Sequence, residues 1–253
     1  MSQAILPELD FSKDLSSLLA TSPLQDRLEN TGNDVSRWLG RAFAQVWFDF
    51  DEQLKATPIV DAIENGCITS DQYQSYLRNM RQQVSQGARW ITRAASSMDN
   101  THVELRNALI RHASAEHQDF RMLESDYVNG GGKLKEIQNA PMNIGSEALS
   151  SFIMSEASFT NPAGIFGATF IIEGLGSHKA ANWANSIQKA LNIPNDRVSF
   201  LRYHGEADHD HYDNLIKVLT SPFITPEVAI NARRIAKIVG RLYALQLQEL
   251  DNY

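Results

Sequence analysis

The stretch Leu201–Leu219, LRYHGEADHDHYDNLIKVL, carries Leu201, Leu215 and Val218 at helical spacing, so one face of a helix is apolar. The same face holds His204, Asp208 and His211, at i, i+4 and i+7. A helix packed by this stripe takes two imidazoles and a carboxylate into the interior, where a charge or polar group without a partner is costly. One metal ion satisfies all three. The competing reading is an exposed acidic helix, since Glu206, His209 and Asp210 lie off the stripe.

Working outward, the rest of the chain is helical too. Residues 1–32 read as an N-terminal extension with one short helix near Asp10–Ala20. Asp34–Lys55 has Trp38, Ala42, Val46 and Phe50 at helical spacing. Thr69 with Gln72 three residues later forms a capping box, and a long helix follows from Asp71 to about Ser97. Val103–Tyr127 reads as one helix closed by Gly130, Gly131 and Gly132. Further helices are expected over Ser146–Ala157, from Asn161-Pro162 onward, over Ser177–Leu191 and after Thr225. No period-two alternation and no internal repeat is present. One all-α domain over 33–253, a single helical bundle, accounts for this pattern.

Bulk properties narrow the class. The chain has 253 residues, 43% hydrophobic and 21% charged, enough for one sizeable core. No run approaches the ~18 apolar residues of a membrane helix. The net charge of −7 without a basic cluster argues against nucleic acid and anionic membrane as partners. The single cysteine, Cys67, excludes a disulfide within the chain, and the expected compartment is the reducing cytoplasm. The expected partner is a small-molecule substrate. The final helix has apolar residues enough for core or interface, so a homodimer is a candidate assembly.

Other polar residues fall where a core is expected. His112 and Glu116 lie on the stripe of Val103–Tyr127, and His117 sits at its edge. Neighbours on a helix are about 100° apart, so spacing leaves open whether Glu116 or His117 points inward. Glu173 is embedded in IFGATFIIEGLG, an apolar run where a glutamate needs a partner. A buried salt bridge competes with a metal for that role. Imidazole nitrogen with carboxylate oxygen suits non-haem iron or manganese, and no thiolate is placed to favour structural zinc.

At this point the pattern resembles a known family. His204-x3-Asp208-x2-His211, after a buried glutamate, resembles the last core helix of the haem-oxygenase-like dimetal oxidases. Glu173 lies 31 residues before His204, and His117 lies 56 before Glu173, both intervals similar to that family's. Thr57-Pro58-Ile59 and Tyr73–Leu77 resemble the first helices of the wider superfamily, which includes haem oxygenase, thiaminase II and pyrroloquinoline-quinone synthase. The resemblance covers roughly residues 40 to 245. It implies the haem-oxygenase-like bundle and carries His117, Glu173, His204, Asp208 and His211 over as metal ligands. Two positions depart from the family pattern: Gln83 stands where a glutamate ligand is usual, and His112 or Glu116 stands where a second glutamate is usual.

The resemblance further implies an iron-dependent oxidoreductase. Ferrous iron, two ions per chain, would activate O2 as co-substrate and oxidise a small molecule such as an amino acid or fatty acid derivative. Phe170, Tyr203 and Tyr212 are candidate pocket walls, and Arg89 or Arg81 is a candidate partner for a substrate carboxylate. Two other readings stay open: a metal-free enzyme like pyrroloquinoline-quinone synthase or thiaminase II, using the histidines as acid–base groups, and a non-catalytic binding protein with a degenerate metal site.

Overall fold

A computed structural model describes residues 5–31 and 33–250; within it, the side chains of residues 206–211 lie outside the description. The described residues contain helices and turns and no strand. Twelve α-helices follow in order: α1 Leu15–Thr21, α2 Asp34–Lys55, α3 Pro58–Glu64, α4 Ser70–Ser97, α5 Val103–Glu116, α6 Phe120–Asn129, α7 Leu134–Asn139, α8 Ile144–Ala157, α9 Phe166–Leu175, α10 Ala181–Leu191, α11 Ser199–Leu219 and α12 Pro226–Gln248. The expectation of an all-α bundle is met. None of these helices is long and apolar enough to cross a membrane.

Local chemistry sets the helix starts. Asn33 caps α2 by accepting from the Val35 and Ser36 amides, and Thr69 and Gln72 form the capping box of α4. Thr225 caps α12, which has Pro226 in its first turn. Two starts differ from expectation. Asn161 adopts a positive φ of 50° rather than a capping conformation, and its side chain ties this corner to Asp99. The α9–α10 run is continuous through a π-helical segment, Gly176–Ala180. Such segments insert an extra residue in a turn and are common beside functional sites.

The long helices α2, α4, α11 and α12 organise the packing. α12 lies against α2, α8 and α9, while α4 lies against α5, α6 and α8. Gly145 and Gly167 leave no room for a Cβ against the α12 backbone, so these crossings are close. Phe43 stacks on Phe170 with ring centroids 4.2 Å apart, and Trp47 meets both Phe50 and Phe170 edge-on. The N-terminal extension joins this core: Leu18, Leu24 and Leu28 are fully buried. Between α4, α9 and α11, a lumen remains that is not filled by side chains.

Candidate metal centre and cavity

α5 places His112 and Glu116 one turn apart, facing Glu173 on α9. His112 Nε2 lies 2.9 Å from Glu116 Oε1 and 2.8 Å from Glu173 Oε1. One ligand atom from each of the three lies within 4.8 Å of the others. All three side chains are largely buried, Glu173 most of all at 4% exposed. Burial alone pushes the His112 imidazole down, but the charges and hydrogen bonds of Glu173 and Glu116 outweigh it and hold the group well above its usual value. The site therefore attracts positive charge at Nε2. A proton meets that demand, and so does a metal ion, which competes with the proton for the same lone pair.

The expected helix Val103–Tyr127 is broken. α5 ends at Glu116, residues 117–119 form a turn, and α6 starts at Phe120. This break moves His117 out of the site. Its ring is exposed, with Nδ1 2.9 Å from the Ser114 carbonyl oxygen and Nε2 2.9 Å from Gln118 Nε2. His117 therefore stands apart from the His112–Glu116–Glu173 cluster, contrary to the expectation from the family interval. Asp119, i+7 from His112, faces inward from this turn. Asp119 is 8% exposed, and its Oδ2 lies 3.2 Å from His204 Nε2. His204 Nδ1 lies 2.9 Å from the Phe200 carbonyl oxygen, an orienting hydrogen bond typical of ligating imidazoles.

Glu116, Asp119, Glu173 and His204 open on one cavity of about 70 Å³. Gln83 lines it too and is 5% exposed. The remaining wall is largely apolar, with Tyr76, Met80, Trp90, Trp183 and Tyr243 prominent. No lysine or arginine is among the described residues that line it. Asp208 and His211 follow His204 by one and two turns of α11, but their side chains lie outside the described residues.

Neighbouring groups hold these helices in place. Asp126 on α6 caps α11, accepting from Ser199 N at 2.9 Å, Ser199 Oγ at 2.6 Å and Phe200 N at 3.0 Å. Burial raises the Asp126 carboxyl despite these bonds. Lys179, in the π-helical segment, reaches Asp51 on α2 at 2.8 Å and Glu64 on α3 at 3.3 Å. Trp183 Nε1 donates to the same Glu64 at 3.2 Å.

The side chains expected to bind substrate do not line this cavity. Arg89 is exposed and donates to Gln86 Oε1 at 2.9 Å. The cavity face of α4 runs through Tyr76, Met80, Gln83, Gly87 and Trp90. Arg89 is two residues past Gly87, about 200° round the helix. Arg81 is held by Glu124 at 2.8 Å. Phe170 is fully buried in the aromatic core. Tyr203 is 44% exposed. Tyr212 is buried and donates to the Phe170 carbonyl oxygen at 3.1 Å. Its hydroxyl is pushed well up, by burial first and then by the charge of Glu173. Sequence reasoning missed Asp119 and Gly87. A signal for Asp119 was available: His112, Glu116 and Asp119 repeat the i, i+4, i+7 spacing of His204, Asp208 and His211.

No protein-family model matches the chain, and no curated protein matches it. Solved structures do. A domain of unknown function with a heme oxygenase-like fold from Shewanella denitrificans OS217 superposes with a TM-score of 0.76 at 17% identity, over 81% of this chain and 88% of that one. A TenA homologue from Pseudomonas syringae pv. tomato DC3000 gives 0.67 at 14% identity, over 83% and 92%. A TenA homologue from Pyrococcus furiosus gives 0.61 at 13% identity, over 81% and 97%. With its all-α bundle and these superpositions, the chain has the haem oxygenase-like fold.

Proposed function

We propose that this protein is a non-haem iron oxidoreductase that activates O2 to oxidise a small organic molecule in the central cavity. The observation that carries the reading is the convergence of His112, Glu116 and Glu173 beside an apolar cavity. An imidazole and two carboxylates are the donor set that suits iron or manganese, and two buried carboxylates around one imidazole leave negative charge for a cation to neutralise. His112, Glu116 and Glu173 would hold one ion. Asp119 and His204, on the same cavity, would hold a second, with Asp208 and His211 added from α11. Ferrous iron supplies the electron chemistry that O2 needs and that side chains lack.

The chain's own residues supply the rest. Trp90, Trp183 and Tyr243 keep bulk water from the carboxylates. The Phe200 carbonyl fixes the His204 ring so that Nε2 faces the cavity side. Glu116 and Glu173 hold at His112 Nε2 the proton that a metal there would displace.

The test is anaerobic loading of the full chain with ferrous iron, followed by a metal count and admission of O2. Stoichiometric iron in the wild type, lost in His112→Ala and Glu173→Gln, supports the reading. A folded wild type that binds no iron, with or without candidate substrates, ends it. In that case the favoured reading becomes a metal-free, thiaminase II-like enzyme, a reading that the fold shared with two TenA homologues fits equally, with His112 and its two carboxylates as the acid–base group.

A further inference from the structure

Gly87 lies inside α4, on the face that lines the cavity, between Gln83 and Trp90. It is buried, yet a Cβ placed on it meets no atom within 4 Å. Gly145 and Gly167 are different, because a Cβ there would strike the α12 backbone. Close packing explains those two and does not explain Gly87. Glycine within a helix is also a poor choice, since it costs backbone entropy that alanine does not. A residue that weakens its helix and relieves no clash leaves space, and the space here is the cavity itself.

The charge around that space is one-sided. Glu116, Asp119 and Glu173 face it, and no described lining residue is a lysine or arginine. The cations that neighbour lining residues in sequence are engaged elsewhere: Arg81 by Glu124, Lys179 by Asp51 and Glu64, Arg89 by Gln86, and Arg202 by Asn185 and Gln188. In the metal-free chain an anionic group entering here would meet three carboxylates against the imidazoles of His112 and His204 alone.

We propose that Gly87 is the specificity-determining residue of the cavity. Its missing side chain admits a short branched alkyl group of the substrate, and in the metal-free chain the carboxylates around it disfavour an anionic ligand against an uncharged or amine-bearing one. This rests on the reading of the cavity as the substrate site.

The test uses three probes that share a 3-methylbutyl group on the metal-free full chain: 3-methylbutan-1-ol, 3-methylbutan-1-amine and 4-methylpentanoate. Binding is followed by ligand-observed NMR and by the fluorescence of Trp90 and Trp183. The alcohol and the amine bind the wild type, and the carboxylate binds at least about tenfold more weakly. Gly87→Leu loses the alcohol at least about tenfold. Gly87→Ala weakens it while raising Tm by about 2–4 °C, because the helix gains and nothing clashes. A merely structural glycine would lose stability instead. Wild-type affinity in Gly87→Leu, a carboxylate bound as well as the alcohol, no probe bound by the wild type, or a lowered Tm in Gly87→Ala each overturns the proposal. Iron content, counted separately in the wild type and both variants, is unchanged by substitution at Gly87. A failure of the metal reading therefore shows in the wild-type count alone.

Discussion

His112 and His117 are five residues apart on one stretch of chain, and the structure gives them opposite surroundings. His112 is enclosed by Glu116 and Glu173, while His117 turns to solvent beside Gln118. Substitution separates their roles. His117→Ala is expected to leave iron content at the wild-type level and stability within about 0.5 kcal/mol, as for other exposed positions. His112→Ala is expected to lose iron and to leave Glu173 short of its buried partner. Loss of iron in His117→Ala with iron retained in His112→Ala would reverse the assignment. The family interval favoured His117 because it counts residues and carries no information on where a helix breaks. The i, i+4, i+7 repeat of His112, Glu116 and Asp119 describes the face that is used.

At the level of elements, long amphipathic segments with capping residues were legible. The helix from Asp34 to Lys55 has the expected bounds, and the capping box at Thr69 starts the long helix. The turn at 117–119 was hidden, because His117 and Gln118 carry no glycine or proline to mark it. The π-helical segment was hidden for a similar reason: it keeps helical dihedrals and shifts only the bonding. That segment is held by Lys179, bridged to Asp51 and Glu64. Burial pushes the Asp51 carboxyl up, but Lys179 and Lys55 outweigh it and bring it below its usual 3.8. A lowered carboxyl stabilises the fold above about pH 3.8, and that stabilisation is lost as pH falls through the lowered value. Lys179→Met leaves Asp51 with Lys55 alone, so its carboxyl rises. The variant should lose about 1–3 kcal/mol near neutral pH. The difference from the wild type should shrink as acid protonates Asp51. Urea unfolding across that pH range checks this, and a difference that grows in acid would refute the clamp.

At the scale of the whole molecule, the N-terminal extension and the site prove to be joined. The expected division between residues 1–32 and the domain followed from a polar link at residues 30–33, and composition cannot show where a short helix docks. Leu24 and Leu28 are buried against the same core as Phe43 and Trp47. Pro23 reaches α9: a Cβ at Gly174, next to Glu173, would lie 3.1 Å from Pro23 Cγ and 2.9 Å from the Tyr212 hydroxyl. Arg27 pairs with Asp213 on α11 at 2.7 Å, so the extension touches both helices that carry Glu173 and His204. Leu24, fully buried, tests how tightly this segment is coupled. Leu24→Ala removes a core side chain and leaves a cavity, at a cost of about 2–5 kcal/mol. If the extension and bundle form one cooperative unit, unfolding by urea remains a single transition, with far-ultraviolet dichroism and tryptophan fluorescence changing together. Its midpoint falls while its slope is kept. An extension that merely rests on the bundle predicts the contrary: an early, partial change near Trp47 and an unmoved main transition. In the coupled case, α9 and α11 hold their spacing only while residues 18–28 are docked, so on the proposed reading iron affinity falls along with the midpoint.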